Sequence, residues 1–328
     1  MALTVDRIGQ SPANAVEHGG DGKLVMFLHG IGGRRQNFIE QLPVFAENFH
    51  AAAWDARGYG DSDDYDGDLD FSDFSRDLIR VLDHFDVEKA HLVGQSMGGR
   101  ISLDFYALFP ERGATLTLCG VHASFGEFTE AQRREFVDRR SAPLVKDGMT
   151  PADIAPALAS HLTAPDKNPE IYAQIVASIS ALHVDSYIKT VEATTHYDRS
   201  GILGEIKVPT LVVVGEHDAL TSVEMKRDLA QRIPGSRFEI MPDCGHMSNM
   251  EQPTKFNDLL IICLSGPGKI CQEISPRRIK GTATNATFRF RRRRSASGRR
   301  YRRRGPPARQ RRLLGTSLRT TGHVPAGR

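Results

Sequence analysis

The chain has 328 residues and a formal net charge of +3, from 43 lysines and arginines against 40 aspartates and glutamates. With 40% hydrophobic and 25% charged residues, it fits a soluble globular protein with a large core, and no apolar run is long enough to span a bilayer. The small net charge hides an asymmetry: residues 265–328 hold 19 bases and one acid, Glu273, whereas the residues before them hold 24 bases and 39 acids. Cys119, Cys244, Cys263 and Cys271 form no C-x-x-C and no metal-ligand spacing, which excludes a zinc module and fits reduced thiols. The N-terminus shows no basic segment followed by an apolar one, so no secretory signal is expected and the cytoplasm is the expected location.

In chain order, Leu3–Ile8 and Asn14–Glu17 read as a hairpin. The continuous apolar run Leu24–Leu28 reads as a strand covered on both faces. It ends in His29-Gly30-Ile31-Gly32-Gly33, a Gly-rich loop that lets backbone N–H groups approach a ligand closely. The loop lacks G-x-x-x-x-G-K-[ST], which argues against a nucleotide P-loop. Gln36–Asn48 reads as a helix, His50–Trp54 as a strand, and Asp55–Ser62 as a loop in which Asp55 and Arg57 are expected to be structural. Phe71–Phe85 is an amphipathic helix.

Ala90–Val93 then reads as a strand, Gly94-Gln95-Ser96-Met97-Gly98 follows, and Arg100–Phe109 reads as a helix closed by Pro110. Strand, G-x-S-x-G, helix is the setting of a nucleophile elbow, a turn too tight for bulky neighbours that pushes the serine hydroxyl outward. Ala114–Cys119 is the next strand. Alternating strands and helices with apolar strands indicate a mostly parallel sheet covered on both faces, with ligands outside the carboxyl ends of the strands.

The alternation stops between Ala123 and Tyr197. Thr129–Arg140, Thr150–Leu162, Pro169–Leu182 and Asp185–Thr194 read as four helices with no strand between them. Their place inside the strand series favours a cap over a separate helical domain. The alternation resumes with strand Thr210–Val214, helix Ser222–Ile233 and strand Ser236–Met241, and closes with helix Gln252–Leu264. The expected division is a core of residues 1–122 and 198–264, a cap of 123–197 and a tail of 265–328.

A serine hydroxyl needs a base to take its proton, normally a histidine held by a carboxylate. Asp218 follows the strand ending at Val214, and His246 follows the one ending at Met241. The order Ser, Asp, His, together with His29–Gly33, Asp55–Ser62, Gly94–Gly99, Gly215–Asp218 and Gly245-His246, closely resembles the α/β-hydrolase superfamily. The resemblance spans Met1 to about Leu264 and is nearest to the 3-oxoadipate enol-lactonase and small carboxylesterase group. It implies Ser96 as nucleophile, His246 as base, Asp218 as its orienting acid, and the backbone N–H groups of Ile31 and Met97 as oxyanion donors. It implies no metal and no organic cofactor, and as substrate a small ester or lactone. Carbon–carbon bond hydrolases and perhydrolases share nearly the same motifs.

Other residues rank lower. His217 sits beside the acid as a loop side chain, Asp243 lies on the base's own loop, His29 shapes the Gly-rich loop, and His91 opens a buried strand. His122, His161, His183 and His196 lie in or beside the cap, where solvated histidines are the common case. A second class of function is a ligand receptor on the same scaffold. A third is nucleic-acid binding through the tail, where Arg291–Arg294, Arg302–Arg304 and Arg311-Arg312 lie among Gly, Pro, Ser and Ala. A non-native extension fits that tail better, because the hydrolase pattern is complete before it.

Overall fold

The computed structural model describes residues 2–163 and 168–265. The Arg-rich tail after Ser265 lies outside them.

Eight strands form one sheet: β1 (Thr4–Ile8), β2 (Asn14–Gly19), β3 (Leu24–Leu28), β4 (His50–Trp54), β5 (Ala90–Gln95), β6 (Gly113–Cys119), β7 (Thr210–Gly215) and β8 (Arg237–Met241). Their order is β1-β2-β4-β3-β5-β6-β7-β8. The β1–β2 and β2–β4 pairs are antiparallel, and all others are parallel. This is an α/β-hydrolase fold. Strand order reverses at β3, which has β4 on one side and β5 on the other, so a crevice opens at the carboxyl ends of β3 and β5.

The period of two in each strand divides the core. In β3, Leu24, Met26 and Leu28 pack on one face with Leu78, Leu82, Ile101 and Phe105. Val25 and Phe27 pack on the other with Phe38, Phe45, Phe256 and Leu260. Both faces are covered, which is why β3, β5 and β7 are buried along their full length and why Leu24–Leu28 and Leu211–Val214 read as unbroken apolar runs.

The helices on these faces are α1 (Leu42–Phe45), α2 (Asp73–His84), α3 (Met97–Leu108), α8 (Val223–Arg232), α9 (Ser248–Glu251) and α10 (Pro253–Ser265). One expected helix is broken by proline and another starts at one. Gln36–Asn48 is a 3-10 turn at Arg35–Phe38 followed by α1, with Pro43 in its first turn. The expected closing helix Gln252–Leu264 is found as α10, Pro253–Ser265, preceded by the separate short α9. Proline lacks an N–H and is accepted in the first turn, so α1 restarts with Pro43 there and α10 begins at Pro253.

Between β6 and β7 stand α4 (Glu130–Val145), α5 (Pro151–Leu162), α6 (Pro169–Ser180) and α7 (Val184–Thr195). Capping boxes start two of them: Thr129 with Gln132, and Thr150 with Asp153. These reciprocal bonds satisfy N–H groups that have no intrahelical acceptor. The insertion is tied to the rest of the chain by polar contacts. Asp64 accepts from His183 Nδ1 at 2.9 Å and Ser186 Oγ at 2.6 Å. Just after the insertion, Arg199 Nε donates at 2.8 Å to buried Asp104 of α3, which also accepts from Ser75 Oγ of α2 at 2.6 Å. Among the described residues no helix is long and apolar enough to cross a membrane.

Candidate active site

Ser96 alone joins β5 to α3, at φ +52° and ψ −112°. A non-glycine residue there is strained, and such strain is retained only where the surroundings enforce it. The surroundings are glycines. A Cβ on Gly94 would run into the backbone of Gly98 and Gly99, and one on Gly98 would collide with the Leu28 carbonyl of β3. The Ser96 N–H donates to the Cys119 carbonyl at 2.7 Å, which pins the turn to the end of β6. Met97 is the first residue of α3, so its N–H is one of the first-turn donors without an intrahelical acceptor.

His246 and Asp218 meet as a buried pair, with Nδ1 at 2.9 Å from Asp218 Oδ2. Asp218 ends a turn after β7 and is saturated with donors. Its Oδ1 accepts the N–H groups of Leu220 and Thr221, both at 2.9 Å, and its Oδ2 accepts the Thr221 hydroxyl at 2.6 Å. Burial alone would raise its pKa; the His246 bond and charge and the Thr221 bonds outweigh it and hold the carboxyl below its usual range. Gly120, at φ +59°, lies against the pair: a Cβ there would stand 2.9 Å from His246 Cε1 and 3.5 Å from Asp218 Oδ2. The loop carrying His246 is held from both sides. Glu251 accepts the N–H groups of Gly245 at 3.1 Å and Met247 at 3.2 Å. Gln95 Nε2 donates to the His246 carbonyl at 3.3 Å.

The Gly-rich loop after β3 abuts the elbow, since a Cβ on Gly30 would sit 3.1 Å from Ser96 Cβ. His29 shapes it: Nδ1–H donates to the Gly30 carbonyl at 2.8 Å and Nε2 accepts the Ala56 N–H at 3.0 Å. Burial lowers its pKa, so the neutral ring suits both bonds. Asp55 accepts the Arg35 N–H at 2.7 Å and the Asp61 N–H at 2.9 Å, and pairs with the Arg35 guanidinium. Arg57 is bidentate to Asp77 at 2.6 and 2.7 Å. Both loop residues are therefore structural, each tied to a side chain outside the loop, Arg35 for Asp55 and Asp77 for Arg57.

Ser96, His246 and Gly30–Gly33 line one cavity of about 660 Å³. The insertion supplies much of its wall through Phe136, Arg140, Leu158, Leu162, Ile175, Ile179 and Tyr187. Beside the pair lies Lys226, fully buried, whose Nζ has no hydrogen-bond partner. Burial draws its pKa down to about 8 against the attraction of Asp218. The Cys119 thiol is pushed up to about 12 and Cys244 to about 11 by burial, which keeps both protonated and inert.

The structure thus brings Ser96, His246 and the Gly-rich loop with Ile31 to one cavity, with Asp218 behind His246. Asp243 and His217 are exposed and form with Glu216 a surface cluster. His91 bonds Thr115 Oγ1 at 3.0 Å. His161 lines the cavity while donating to the Ala157 carbonyl at 2.7 Å. His122 is half-buried, and His196 is exposed. Sequence reasoning missed Thr221, Gly120, Gln95 and Glu251. Thr221, three residues after an acid in a turn, and Gly120, directly after a strand, carried the only local signals.

Residues 23–253 match the family described as alpha/beta hydrolase fold, and the chain belongs to that family of hydrolases. The 3-oxoadipate enol-lactonase 2 of Acinetobacter baylyi is 29% identical over 241 residues, 72% of this chain and 86% of its own length. The 2-hydroxy-6-oxononadienedioate/2-hydroxy-6-oxononatrienedioate hydrolase of Escherichia coli is 28% identical over 278 residues, 81% of this chain and 95% of its own. Among solved structures, a thermophilic esterase from Thermogutta terrifontis superposes with a TM-score of 0.72 at 26% identity, covering 80% of this chain and 98% of that one.

Proposed function

We propose that this chain is a serine hydrolase that cleaves a carboxylic ester or lactone through an acyl-enzyme on Ser96. The observation that carries the reading is a serine on a strained elbow that lines the same cavity as His246, whose far nitrogen is held by buried Asp218. His246, with its proton on Nδ1 facing Asp218, presents Nε2 as the base. Ser96 Oγ gives its proton to Nε2 and attacks the carbonyl. The N–H groups of Ile31 and Met97 receive the oxyanion, usually the largest single electrostatic contribution. Asp218 stabilises the imidazolium, which then protonates the leaving alkoxide. Water repeats the sequence on the acyl-enzyme, with His246 again as base, and frees the acid. The helices of 123–197 act as a cap whose inner side chains select the substrate.

The test is Ser96→Ala on the folded protein, assayed with short esters and lactones, beside a fluorophosphonate label. The reading requires loss of turnover and a label found on Ser96 by peptide mass. A label elsewhere, or a variant with undiminished turnover, refutes it. Carbon–carbon bond cleavage on the same three residues is a second reading, favoured by the 28% identity to the Escherichia coli hydrolase over 95% of that protein. A vinylogous diketone offered beside the esters separates the two.

A further inference from the structure

Among the described residues two arginines are buried, Arg35 and Arg100, and of these only Arg35 is paired with carboxylates. Arg35 holds Asp55 and Asp61, and Arg57 holds Asp77 and Asp73. Arg100 is 7% exposed, yet its Nε and Nη1 have no hydrogen-bond partner and no carboxylate lies within ion-pair distance among the described residues. The Phe125 ring lies 5.1 Å from its Cζ, and Tyr197, Tyr59 and the like-charged Arg140 are near enough to act on its charge. Burial draws its pKa down to about 10, so it keeps its charge at neutral pH. A cation over one ring recovers little of what a buried guanidinium loses with its hydration. An unpaired buried charge of this kind is a mark of a functional site rather than of stability.

Arg100 lies one helical turn after Ser96 on α3 and lines the same cavity. The other charges on that cavity are mostly of one sign. Arg139 and Arg140 line it, and neither has an ion pair among the described residues. Arg140 is turned onto the Phe136 ring, 3.4 Å from Cζ, and bonds the Phe136 carbonyl at 3.0 Å. Glu135 is the opposing charge, and it is exposed. A planar guanidinium with free, desolvated N–H groups is matched by a carboxylate, which it can bind through two parallel bonds.

From this geometry we infer that Arg100 is a specificity residue that binds a carboxylate of the substrate, so that the preferred ester or lactone is anionic, its carboxylate a few bonds from the scissile carbonyl. The inference rests on the hydrolase reading for the word substrate, but the anion site can be tested without turnover.

Two measurements decide it. The first compares kcat/KM for 4-nitrophenyl hydrogen glutarate and 4-nitrophenyl pentanoate, and for carboxymethyl butyrate and propyl butyrate. The carboxylate member of at least one pair should be favoured about tenfold or more, as a charge-assisted bidentate contact allows. Arg100→Met should abolish that preference, lowering kcat/KM for the anionic ester by about tenfold more than for its neutral partner, and Arg100→Lys should retain part of it. The second titrates glutarate into the wild type and Arg100→Met, reading the melting temperature at moderate salt. Stabilisation of the wild type alone is expected. If glutarate protects only the wild type but no ester is cleaved, the anion site stands and the hydrolase reading falls. If neutral esters are cleaved as well as anionic ones and glutarate stabilises neither protein, the Arg100 inference is overturned. Should Arg100→Met fail to fold, the wild-type preferences and Arg100→Lys decide.

Discussion

Replacing Asp218 by Asn exchanges one oxygen for an NH2, and the structure dictates which. Oδ1 faces two backbone donors, the N–H groups of Leu220 and Thr221 at 2.9 Å, and neither can rotate away. An NH2 placed there would meet them donor to donor. The amide oxygen must therefore take the Oδ1 position and the NH2 the Oδ2 position, 2.9 Å from His246 Nδ1. The Thr221 hydroxyl, at 2.6 Å from that position, can turn to accept. His246 cannot keep its proton on Nδ1 against an N–H donor, so the proton moves to Nε2, the nitrogen that takes the Ser96 proton in the proposed mechanism. The fold survives and the base is lost. A wrong tautomer at an equivalent serine site lowers kcat by about 10^4, on the order of 5 kcal/mol at 1.36 kcal/mol per tenfold.

The assay is kcat on a short ester with the melting temperature measured in parallel, and ring-nitrogen NMR of His246 to read the tautomer. Acid stability supplies a second readout. The Asp218 pKa is below its unfolded value of 3.8, so its contribution is present above that pH and lost as pH falls through the folded value. The Asn variant should be less sensitive to pH in that acid range. Turnover within about tenfold of the wild type, with the proton still on Nδ1, would refute the reasoning.

Two further expectations concern stability. Gly98→Ala should abolish soluble folded protein, because its Cβ would enter the Leu28 carbonyl of β3, whereas Gly201→Ala, with nothing within 4 Å of its Cβ, should leave the melting temperature nearly unchanged. His91, buried against Thr115, has its pKa lowered from 6.5 to about 4 by burial. The unfolded chain therefore binds a proton across that window that the folded one refuses, so stability falls as pH drops from 6.5 to about 4, by up to about 3 kcal/mol. His91→Gln should flatten that limb of a melting-temperature profile; an unchanged slope would point to another histidine.

What could be read from the sequence was local. The strands β3 and β7 announce themselves because burial on both faces leaves no polar position in Leu24–Leu28 or Leu211–Val214. The elbow is legible because Gly94, Gly98 and Gly99 crowd one serine. The partners of Asp55 and Arg57 were not legible, since Arg35 and Asp77 lie 20 residues away from each and no period connects them. Arg100 has helical spacing and no motif; only its lack of a partner in three dimensions singles it out.

The site is a harder case, because its residues leave the sheet at different strands. Gly30–Gly33 follow β3, Ser96 follows β5, Gly120 follows β6, Asp218 follows β7 and His246 follows β8. β5 and β8 are three strand spacings apart, about 14 Å, too far for a histidine at the end of β8 to reach Ser96 directly. The loop after Met241 has to return across the ends of β7 and β6. Its bonds record that path: the His217 N–H to the Cys244 carbonyl at 2.9 Å, the His246 N–H to the Leu162 carbonyl at 3.1 Å, and Gln95 Nε2 to the His246 carbonyl at 3.3 Å. Gly215 is needed at the crossing, because a Cβ there would collide with the Gly245 carbonyl. Gly120 is needed where the imidazole comes to rest. The order Ser, Asp, His names the three side chains, but the return loop decides whether they meet, and it is held by Leu162 of the insertion as well as by Gln95 and Glu251. The insertion therefore does more than wall the cavity: its α5 carbonyl fixes the backbone of His246, so a change in the packing of α5 should reach the base as well as the substrate.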